Sequence, residues 1–233
     1  HERHLLLALL RQIELPLDRL IGKECYSYRR GRSYHQAAEQ ARKFFFAGFA
    51  KGLKSDISSF FDSIPRQNLR LLLEGLFGAD PTAGLIASHM LGPGLGIPQG
   101  NPLSPLLSNL YLIPFDREVG RQGWHLVRYA DDFCLFANYP HDLFLDAGAV
   151  EGILAKLGLK LSRDKTESFT VKDSLDFLGY RVGRDDFRKL KKSHDPELES
   201  HGIPAFQDDF VRGRPLYLTF HETYVTSDGG CVS

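Results

Sequence analysis

Apolar and polar positions follow two spacings along the chain, one typical of helices and one typical of strands. Helical spacing predicts helices over residues 33–50, 65–77, 81–91, 104–119 and 141–157, and one or two turns over 4–20 that Pro16 interrupts. Extended runs predict strands at 52–57, 166–171 and 175–182 and an antiparallel hairpin at 127–137. Helices interleaved with strands around a central hairpin predict an α+β fold of the ferredoxin-like kind.

The predicted hairpin carries two adjacent carboxylates at its turn. Asp131 and Asp132 lie between an apolar run that ends at Tyr129 and another that begins at Phe133. Adjacent aspartates repel each other, so a protein places them side by side where water screens them or where a cation neutralises them. A solvated turn and a divalent-metal site are therefore both open, and other segments must decide between them.

Two further segments bear on this choice. Residues 52–62 predict a short strand with Asp56 near its end, followed by a turn and two aromatic residues. Residues 96–106, GIPQGNPLSPL, predict a rigid loop that leads into a helix. Together with YADD at 129–132, these segments have the order and spacing of the palm of a reverse transcriptase, and the chain resembles that family.

The resemblance covers roughly residues 23 to 182. Residues 28–35, YRRGRSYH, resemble a fingers motif of the group II intron type of reverse transcriptase, and residues 157–166 and 177–180 resemble two later motifs. The resemblance implies partial fingers and a ferredoxin-like palm that carries the catalytic β-hairpin. Within the family, the chain most resembles the CRISPR-associated form that is fused to the CRISPR adaptation integrase.

The resemblance assigns the acidic residues to nucleotidyl transfer, a reaction that two Mg²⁺ ions about 3.5–4 Å apart can promote. It implies that Asp56 and Asp131 hold two Mg²⁺ ions, with Mn²⁺ as a substitute, and that the Ile57 carbonyl assists. Asp132 is then a supporting acid, and Lys165 is a candidate proton donor to the leaving pyrophosphate. In the alternative interpretation Asp56 caps a turn, the hairpin tip is ordinary, and Lys165 is an exposed surface residue.

The same resemblance implies a binding site for the incoming nucleotide. Phe61 occupies the family's sugar-gate position, where a bulky ring would exclude a ribose 2′-hydroxyl, although Phe60 beside it leaves the register open and a core role is the alternative. Gln99 and Gly100 match the loop that shapes the pocket for the nascent base pair, and glycine allows close backbone approach there. Tyr129 is expected to pack beneath the primer end.

Basic and turn residues are the candidates for nucleic-acid contact. Arg29, Arg30 and Arg32 form a cluster ahead of the palm, which motif context assigns to the nucleic-acid backbone, whereas the cluster at 188–192 is more typical of a solvated face. Leu178, Gly179 and Tyr180 resemble the primer grip, with a core strand as the alternative.

Composition restricts the classes of protein. The formal net charge is +0, which is unusual for a nucleic-acid enzyme because phosphate binding normally requires a basic surplus. No apolar stretch approaches the roughly 20 residues that a membrane span needs, so no membrane partner is expected. Three isolated cysteines, Cys25, Cys134 and Cys231, suit a reducing cytoplasm and argue against a zinc site or a disulfide framework.

The sequence predicts three regions. Residues 1–183 form the partial fingers and palm, 184–214 a linker or peripheral loop, and 215–233 the start of an integrase-like N-terminal β domain, which resembles the opening hairpin of the CRISPR adaptation integrase. The chain lacks an initiator Met, and no segment before Gly22 matches the family's triphosphate-binding motif, so it is expected to be part of a longer protein. The partners implied are an RNA template, a DNA primer, dNTPs, the integrase on the same polypeptide with its adaptation subunit, and CRISPR array DNA.

The interpretation is therefore an RNA-directed DNA polymerase that makes DNA from RNA for CRISPR spacer acquisition. Rival interpretations are a group II intron or other retroelement reverse transcriptase, an RNA polymerase with a similar palm, and a non-catalytic nucleic-acid-binding palm that serves as a scaffold. The aromatic Phe61 disfavours the RNA polymerase, and the intact acidic residues disfavour the scaffold.

Overall fold

Two antiparallel sheets organise residues 2–78 and 80–190, which are the residues that the computed structural model describes. The larger sheet has the order β2-β3-β1-β4 and the smaller one the order β5-β6-β7. The strands of the larger sheet are β1 (Lys51–Ser55), β2 (His125–Tyr129), β3 (Asp132–Ala137) and β4 (Glu167–Thr170), and those of the smaller sheet are β5 (Ser174–Phe177), β6 (Tyr180–Gly183) and β7 (Phe187–Lys189).

Helices surround the larger sheet. Their bounds are α1 (Glu2–Asp18), α2 (Tyr34–Phe46), α3 (Phe60–Ser63), α4 (Arg66–Phe77), α5 (Thr82–Met90), α6 (Ser104–Tyr111), α7 (Ile113–Arg121) and α8 (Ala147–Ala155), with 3₁₀ turns at His141–Phe144 and Arg163–Lys165. The Ser33 side chain caps α2 by accepting a hydrogen bond from the Gln36 N–H.

The larger sheet confirms the predicted ferredoxin-like arrangement. Strand β1 lies between β3 and β4 and pairs antiparallel with both, and β2 forms a hairpin with β3. Alternate side chains of these strands enter two hydrophobic cores. Leu53 and Leu135 face the core formed with α4, α6 and α7, whereas Phe136 and Phe169 face the core shared with α2 and the smaller sheet. Because both faces are covered, the register of the central strands is firmly specified.

Several predicted boundaries were wrong for local reasons. Helix α1 continues through Pro16, which lies in its last turn. The predicted helix at 104–119 is two helices that meet at Leu112, because Pro114 suits the first turn of α7 better than a helix interior. The predicted helix at 141–157 is interrupted where Asp146 caps α8 by accepting a hydrogen bond from the Ala149 N–H at 2.8 Å.

The predicted strand at 175–182 is a hairpin, β5–β6, whose connection contains Leu178 and Gly179. Both residues have positive φ values, 52° and 76°, which is the backbone that a tight two-residue hairpin turn requires. A leucine rarely adopts this conformation, so the sequence favoured an uninterrupted strand.

The predicted boundary after residue 183 falls inside the smaller sheet. Strand β7 pairs with β6, and the Leu190 N–H donates to the Gly179 carbonyl at 2.9 Å. The first described residues of the predicted linker are thus part of the folded domain. The rest of that segment, 191–214, and the predicted second domain, 215–233, lie outside the described residues. Within the described ranges, no helix has both the length and the apolar character needed to cross a bilayer.

Candidate active site

The central pairing of the larger sheet brings two acidic residues together. Ser55 pairs with Phe133, so that Asp56, the residue after β1, lies beside the turn that precedes β3. The Ile57 N–H donates to the Asp131 carbonyl at 3.3 Å. The carboxyl groups of Asp56 and Asp131 are close enough to share a hydrogen bond, and Asp56 is only 6% exposed. The structure therefore places the two predicted metal ligands side by side.

The turn that presents Asp131 has an unusual backbone. Tyr129 pairs with Asp132, which leaves Ala130 and Asp131 as the two-residue connection between β2 and β3. Ala130 has φ 55°, a left-handed conformation that glycine adopts easily and that other residues adopt at a cost in free energy. The hairpin therefore holds the Asp131 side chain by means of a constrained turn.

Burial and mutual repulsion change the acidity of the turn aspartates. Burial, followed by the charge of Asp56, raises the pKa of Asp131 from 3.8 to about 7. The same two causes in the same order raise the pKa of Asp132 to about 6, against the opposing effect of Lys165 and Lys54. Three carboxylates are thus close enough for the ionised forms of Asp131 and Asp132 to be disfavoured, and a bound cation would relieve this repulsion.

Two lysines border these carboxylates. The Lys165 ammonium forms an ion pair with Oδ2 of Asp56, and this hydrogen bond raises the pKa of Lys165. Lys165 belongs to a 3₁₀ turn that is anchored by the Ser162 N–H, which donates to the Asp56 carbonyl at 2.8 Å. Lys54 lies 3.5 Å from Glu167. Both lysines line a cavity of about 210 Å³ together with Asp56 and Asp132.

The donor set fits a divalent cation in part. Carboxylate oxygens are the ligands that Mg²⁺ prefers, and Asp56 and Asp131 present them at one place. Among the described residues, however, no three His, Cys, Asp or Glu side chains are grouped closely enough to hold a metal ion. The Lys165 ammonium already neutralises Asp56, so metal binding at Asp56 requires this lysine to move aside; its side chain is 65% exposed and free to do so.

The predicted nucleotide-pocket residues lie next to each other. Phe60 is 2% exposed and belongs to the core, whereas Phe61 is only partly buried at its margin, so Phe61 is the more accessible of the two rings. The Ile97 N–H donates to the Phe61 carbonyl at 2.8 Å, and the Gln99 amide reaches Asp62 at 3.5 Å. Gly100 has φ 79°, which explains why glycine occupies that loop position.

The three predicted nucleic-acid arginines have different environments. Arg29 is a structural residue: its side chain is 9% exposed, and it bonds both carboxylate oxygens of Asp18 and the carbonyls of Asp18, Gly22 and Cys25. Its guanidinium is therefore engaged within the protein, and its contact with a nucleic-acid backbone stays a prediction. The exposed Arg30 pairs with Glu14 at 2.9 Å, while the half-buried Arg32 donates to the Lys23 carbonyl and lies over the Tyr26 ring.

The three residues of the predicted primer grip also differ in their exposure. Gly179 is exposed at the β5–β6 turn and Leu178 is partly buried, but the Tyr180 side chain is only 8% exposed. Its ring stacks on Phe187 at 5.4 Å between centroids and also lies near His35. Tyr180 therefore packs in the core, which is the alternative that the sequence left open, and contact of this residue with nucleic acid stays a prediction.

Sequence reasoning missed two residues of the site. Tyr28, at φ 54°, lies near Tyr129 and Asp131, with 6.4 Å between the two tyrosine ring centroids. Burial, followed by the charge of Asp131, raises the pKa of Tyr28 to about 12. No sequence signal marked its backbone conformation. Lys54, by contrast, precedes Asp56 by two positions on a strand, and the alternation of side chains could have placed both on the same face.

Comparison with known proteins is consistent with this geometry. A sequence profile described as "Reverse transcriptase (RNA-dependent DNA polymerase)" matches residues 4–182. This match covers most of the chain, and the chain therefore belongs to the reverse transcriptase family and contains a reverse transcriptase domain.

Relatives and solved structures support the same assignment. Protein YkfC of Escherichia coli is 28% identical over 213 residues, which cover 68% of this chain and 55% of that protein. A Pol polyprotein from a type-2 retrotransposable element of Drosophila melanogaster is 29% identical over 122 residues, 46% of this chain and 12% of that protein. The chain thus spans about half the length of the bacterial relative and a smaller share of the retrotransposon protein. The structure of telomerase from Candida albicans with a fragment of telomeric RNA matches this chain with a TM-score of 0.65 at 15% identity. The match covers 81% of this chain and 38% of the telomerase chain, which shows a shared fold.

Proposed function

We propose that this protein is an RNA-directed DNA polymerase that extends a DNA primer with dNTPs on an RNA template. The observation that supports this proposal most directly is the meeting of Asp56 and Asp131 at a constrained hairpin, with Asp132 beside them. A protein that only bound phosphates would gain nothing from buried carboxylates there, because they repel phosphate. A polymerase uses them, because carboxylates bind the cations that neutralise the triphosphate.

Asp56 and Asp131, with the Ile57 carbonyl and with Asp132 in support, would hold two Mg²⁺ ions, or Mn²⁺ in their place. When bound, the ions would neutralise charge on the phosphates and activate the primer 3′-hydroxyl. The remaining tasks fall to side chains. Lys165, which pairs with Asp56 and has an exposed side chain, would move to the leaving pyrophosphate and donate a proton to it.

The pocket residues would select the substrate. Phe61 at the edge of the core would contact the sugar and exclude a 2′-hydroxyl. Gln99 and Gly100 would border the nascent base pair, since their loop is bonded to the Phe61 segment. Tyr129 would support the primer end. Arg30, Arg32, Leu178 and Gly179 remain candidates for contact with template or primer, with Arg30 and Gly179 the more exposed.

Primer extension tests the proposal. The full-length protein is supplied with an RNA template, a DNA primer, dNTPs and Mg²⁺, and the Asp131→Ala variant is compared with Asp185→Ala, which removes an exposed carboxylate of the smaller sheet. We expect extension by the wild type and by Asp185→Ala, and a loss of at least about 1000-fold in Asp131→Ala, in keeping with the size of electrostatic effects on catalysis. Extension by Asp131→Ala at the wild-type rate would remove the proposed role of this carboxylate.

The biological setting that we propose is CRISPR spacer acquisition. In this setting the DNA copy of an RNA would pass to a CRISPR integrase on the same polypeptide and its adaptation partner subunit, and then to CRISPR array DNA. The proposal is supported by the resemblance of residues 215–233 to the opening hairpin of that integrase. Co-purification of an adaptation subunit with the full-length protein, and RNA-derived spacers in cells that depend on Asp131, would test it.

A retroelement reverse transcriptase is the second candidate. The similarity to the Drosophila retrotransposable element favours it. The two candidates differ in the fate of the product, because a retroelement enzyme copies the RNA that encodes it. Sequencing of the cDNA made in cells separates them: a single self-derived template favours the retroelement, and diverse cellular or foreign RNAs favour spacer acquisition. A full-length protein that binds RNA but makes no DNA would instead be a scaffold.

A further inference from the structure

Arg128, the penultimate residue of β2, is completely buried and lies at the centre of a polar cluster. Its Nε and Nη2 donate to the two carboxylate oxygens of Asp116 on α7, at 2.8 and 2.6 Å. Its Nη1 donates to Oδ1 of Asn109 on α6 at 3.1 Å. Asn109 in turn donates to the Ser27 carbonyl at 2.8 Å. We call Arg128, Asp116, Asn109 and Ser27 the Arg128 cluster.

The cluster makes one contact with the catalytic turn. Nη1 of Arg128 also donates to the carbonyl oxygen of Ala130 at 3.1 Å. This carbonyl belongs to the peptide that joins the left-handed Ala130 to Asp131. A guanidinium presents its donors in a rigid plane, so the fork that grips Asp116 also fixes the direction of the hydrogen bond to Ala130.

The backbone of Arg128 is held as firmly as its side chain. The Arg128 N–H donates to the Glu24 carbonyl at 2.9 Å, and the Arg128 carbonyl accepts from the Tyr26 N–H at 2.8 Å. The segment around residues 24–27 thus forms a parallel bridge with the end of β2. The Arg128 cluster therefore connects this segment, α6 and α7 to one peptide of the turn.

The cost of burying these groups indicates a role in geometry. Replacing a buried ion pair with apolar side chains of similar volume is often neutral or stabilising, so a pair such as Arg128 and Asp116 contributes little that an apolar core would not. An apolar core could not, however, donate a hydrogen bond to the Ala130 carbonyl. The property that only the arginine supplies is the fixed orientation of the Ala130–Asp131 peptide.

We propose that Arg128 is a positioning residue that, held by Asp116 and Asn109, orients the Ala130–Asp131 peptide and thereby the Asp131 carboxylate for nucleotidyl transfer. The inference rests on the proposed polymerase function. A reacting group that is displaced by about 1 Å can lose on the order of 100-fold in rate. Loss of the Ala130 contact is therefore expected to lower kcat while leaving the KM for dNTP nearly unchanged, because Arg128 does not line the nucleotide pocket.

The test is the double variant Arg128→Met/Asp116→Leu in the full-length protein, which removes the donor without leaving an unpaired buried charge. We expect thermal unfolding close to that of the wild type, a kcat lower by about 10- to 100-fold, and a KM for dNTP within about twofold. The matched control is Arg121→Gln/Glu118→Gln, which removes an exposed ion pair from the same helix α7 and should leave both constants unchanged. The single variant Arg128→Lys keeps the charge but loses the fork, and should also lower kcat.

Hydrogen exchange of the metal-free protein separates this inference from the proposed function. Faster hydrogen exchange of residues 129–133 in either Arg128 variant, with little change elsewhere, would support the positioning role. Failure of the wild type to make DNA would end the polymerase proposal but would leave this exchange result standing. Wild-type kcat in a folded double variant or in Arg128→Lys, or unchanged exchange at the turn, would overturn the role of Arg128.

Discussion

The ring of Phe169 on β4 covers Gly52 on β1, in the space that a Cβ atom at position 52 would occupy. An ideal Cβ there would lie 2.1 Å from the end of the ring. Gly52 pairs with Phe136 on one side and Phe169 on the other, and Phe169 also stacks on Phe45 of α2 at 5.3 Å. This contact sets how closely β1, which Asp56 directly follows, can approach β4.

We predict that Gly52→Ala destabilises the protein by about 1–3 kcal/mol, the usual cost of overpacking a core. The Phe169 ring cannot rotate away freely because Phe45 and Phe136 contact it on its other sides. The matched control is Gly75→Ala in α4, where an added Cβ meets no atom within 4 Å and helix propensity favours alanine by about 1 kcal/mol. Chemical denaturation should therefore show shifts of opposite sign, and equal midpoints for the two variants would contradict the packing argument.

Strands β1 and β3 and the hairpin were predictable because short apolar runs bounded by turn residues mark these strands. The meeting of Asp56 with Asp131 was predictable only through the family resemblance, since spacing alone does not reveal which strands pair. The partners of Arg29 were not predictable: a basic run predicts charge, but whether Asp18 or a phosphate neutralises it depends on the tertiary fold. Leu178 misled the prediction because its side chain favours a strand while the fold requires a turn.

The raised pKa values of Asp131 and Asp132 predict an unusual pH dependence of the metal-free protein. Both folded values, about 7 and about 6, lie above the ordinary 3.8, so between about pH 4 and pH 7 the folded state holds protons that the unfolded state has released. Stability should therefore fall as the pH rises through this window, by an amount on the order of 3 kcal/mol. Thermal melts in EDTA measure this change.

Mg²⁺ should restore the lost stability at about pH 8 and have little effect at about pH 5, because a cation binds the ionised carboxylates and relieves their repulsion. The Asp131→Asn variant should be more stable than the wild type without metal at the higher pH, and should gain less from Mg²⁺. The Asp185→Asn variant, which alters an exposed carboxylate, should behave as the wild type does. A metal-free wild type that becomes more stable between pH 5 and pH 8 would show that these carboxylates are not mutually repulsive.

The two adjacent phenylalanines should respond differently to truncation. Phe61→Ala is expected to admit ribonucleotides, lowering the preference for dNTP over rNTP by about 100-fold or more, because the ring that would meet the 2′-hydroxyl is removed. Phe60→Ala should instead lose about 3–5 kcal/mol of stability with its selectivity unchanged, because this ring is buried in the core. Single-nucleotide incorporation with each substrate, together with a denaturation curve, measures both effects. If Phe60→Ala lost the preference for dNTP and Phe61→Ala kept it, Phe60 and not Phe61 would be the residue that selects the sugar.

Arg29 and Arg32 should separate stability from nucleic-acid binding. Arg29→Met breaks a partly buried ion pair and removes donors from three backbone carbonyls, so we expect a loss of about 2–3 kcal/mol of stability. The half-buried Arg32 donates to the Lys23 carbonyl and lies over the Tyr26 ring, and its loss should change stability only slightly. If Arg32 contacts a phosphate, Arg32→Ala should weaken binding of an RNA–DNA duplex. It should also reduce the slope of log binding constant against log salt concentration by about 1, whereas folded Arg29→Met should keep the wild-type slope. Fluorescence anisotropy over a range of salt concentrations measures both slopes, and an equal slope in wild type and Arg32→Ala would exclude a phosphate contact at this residue.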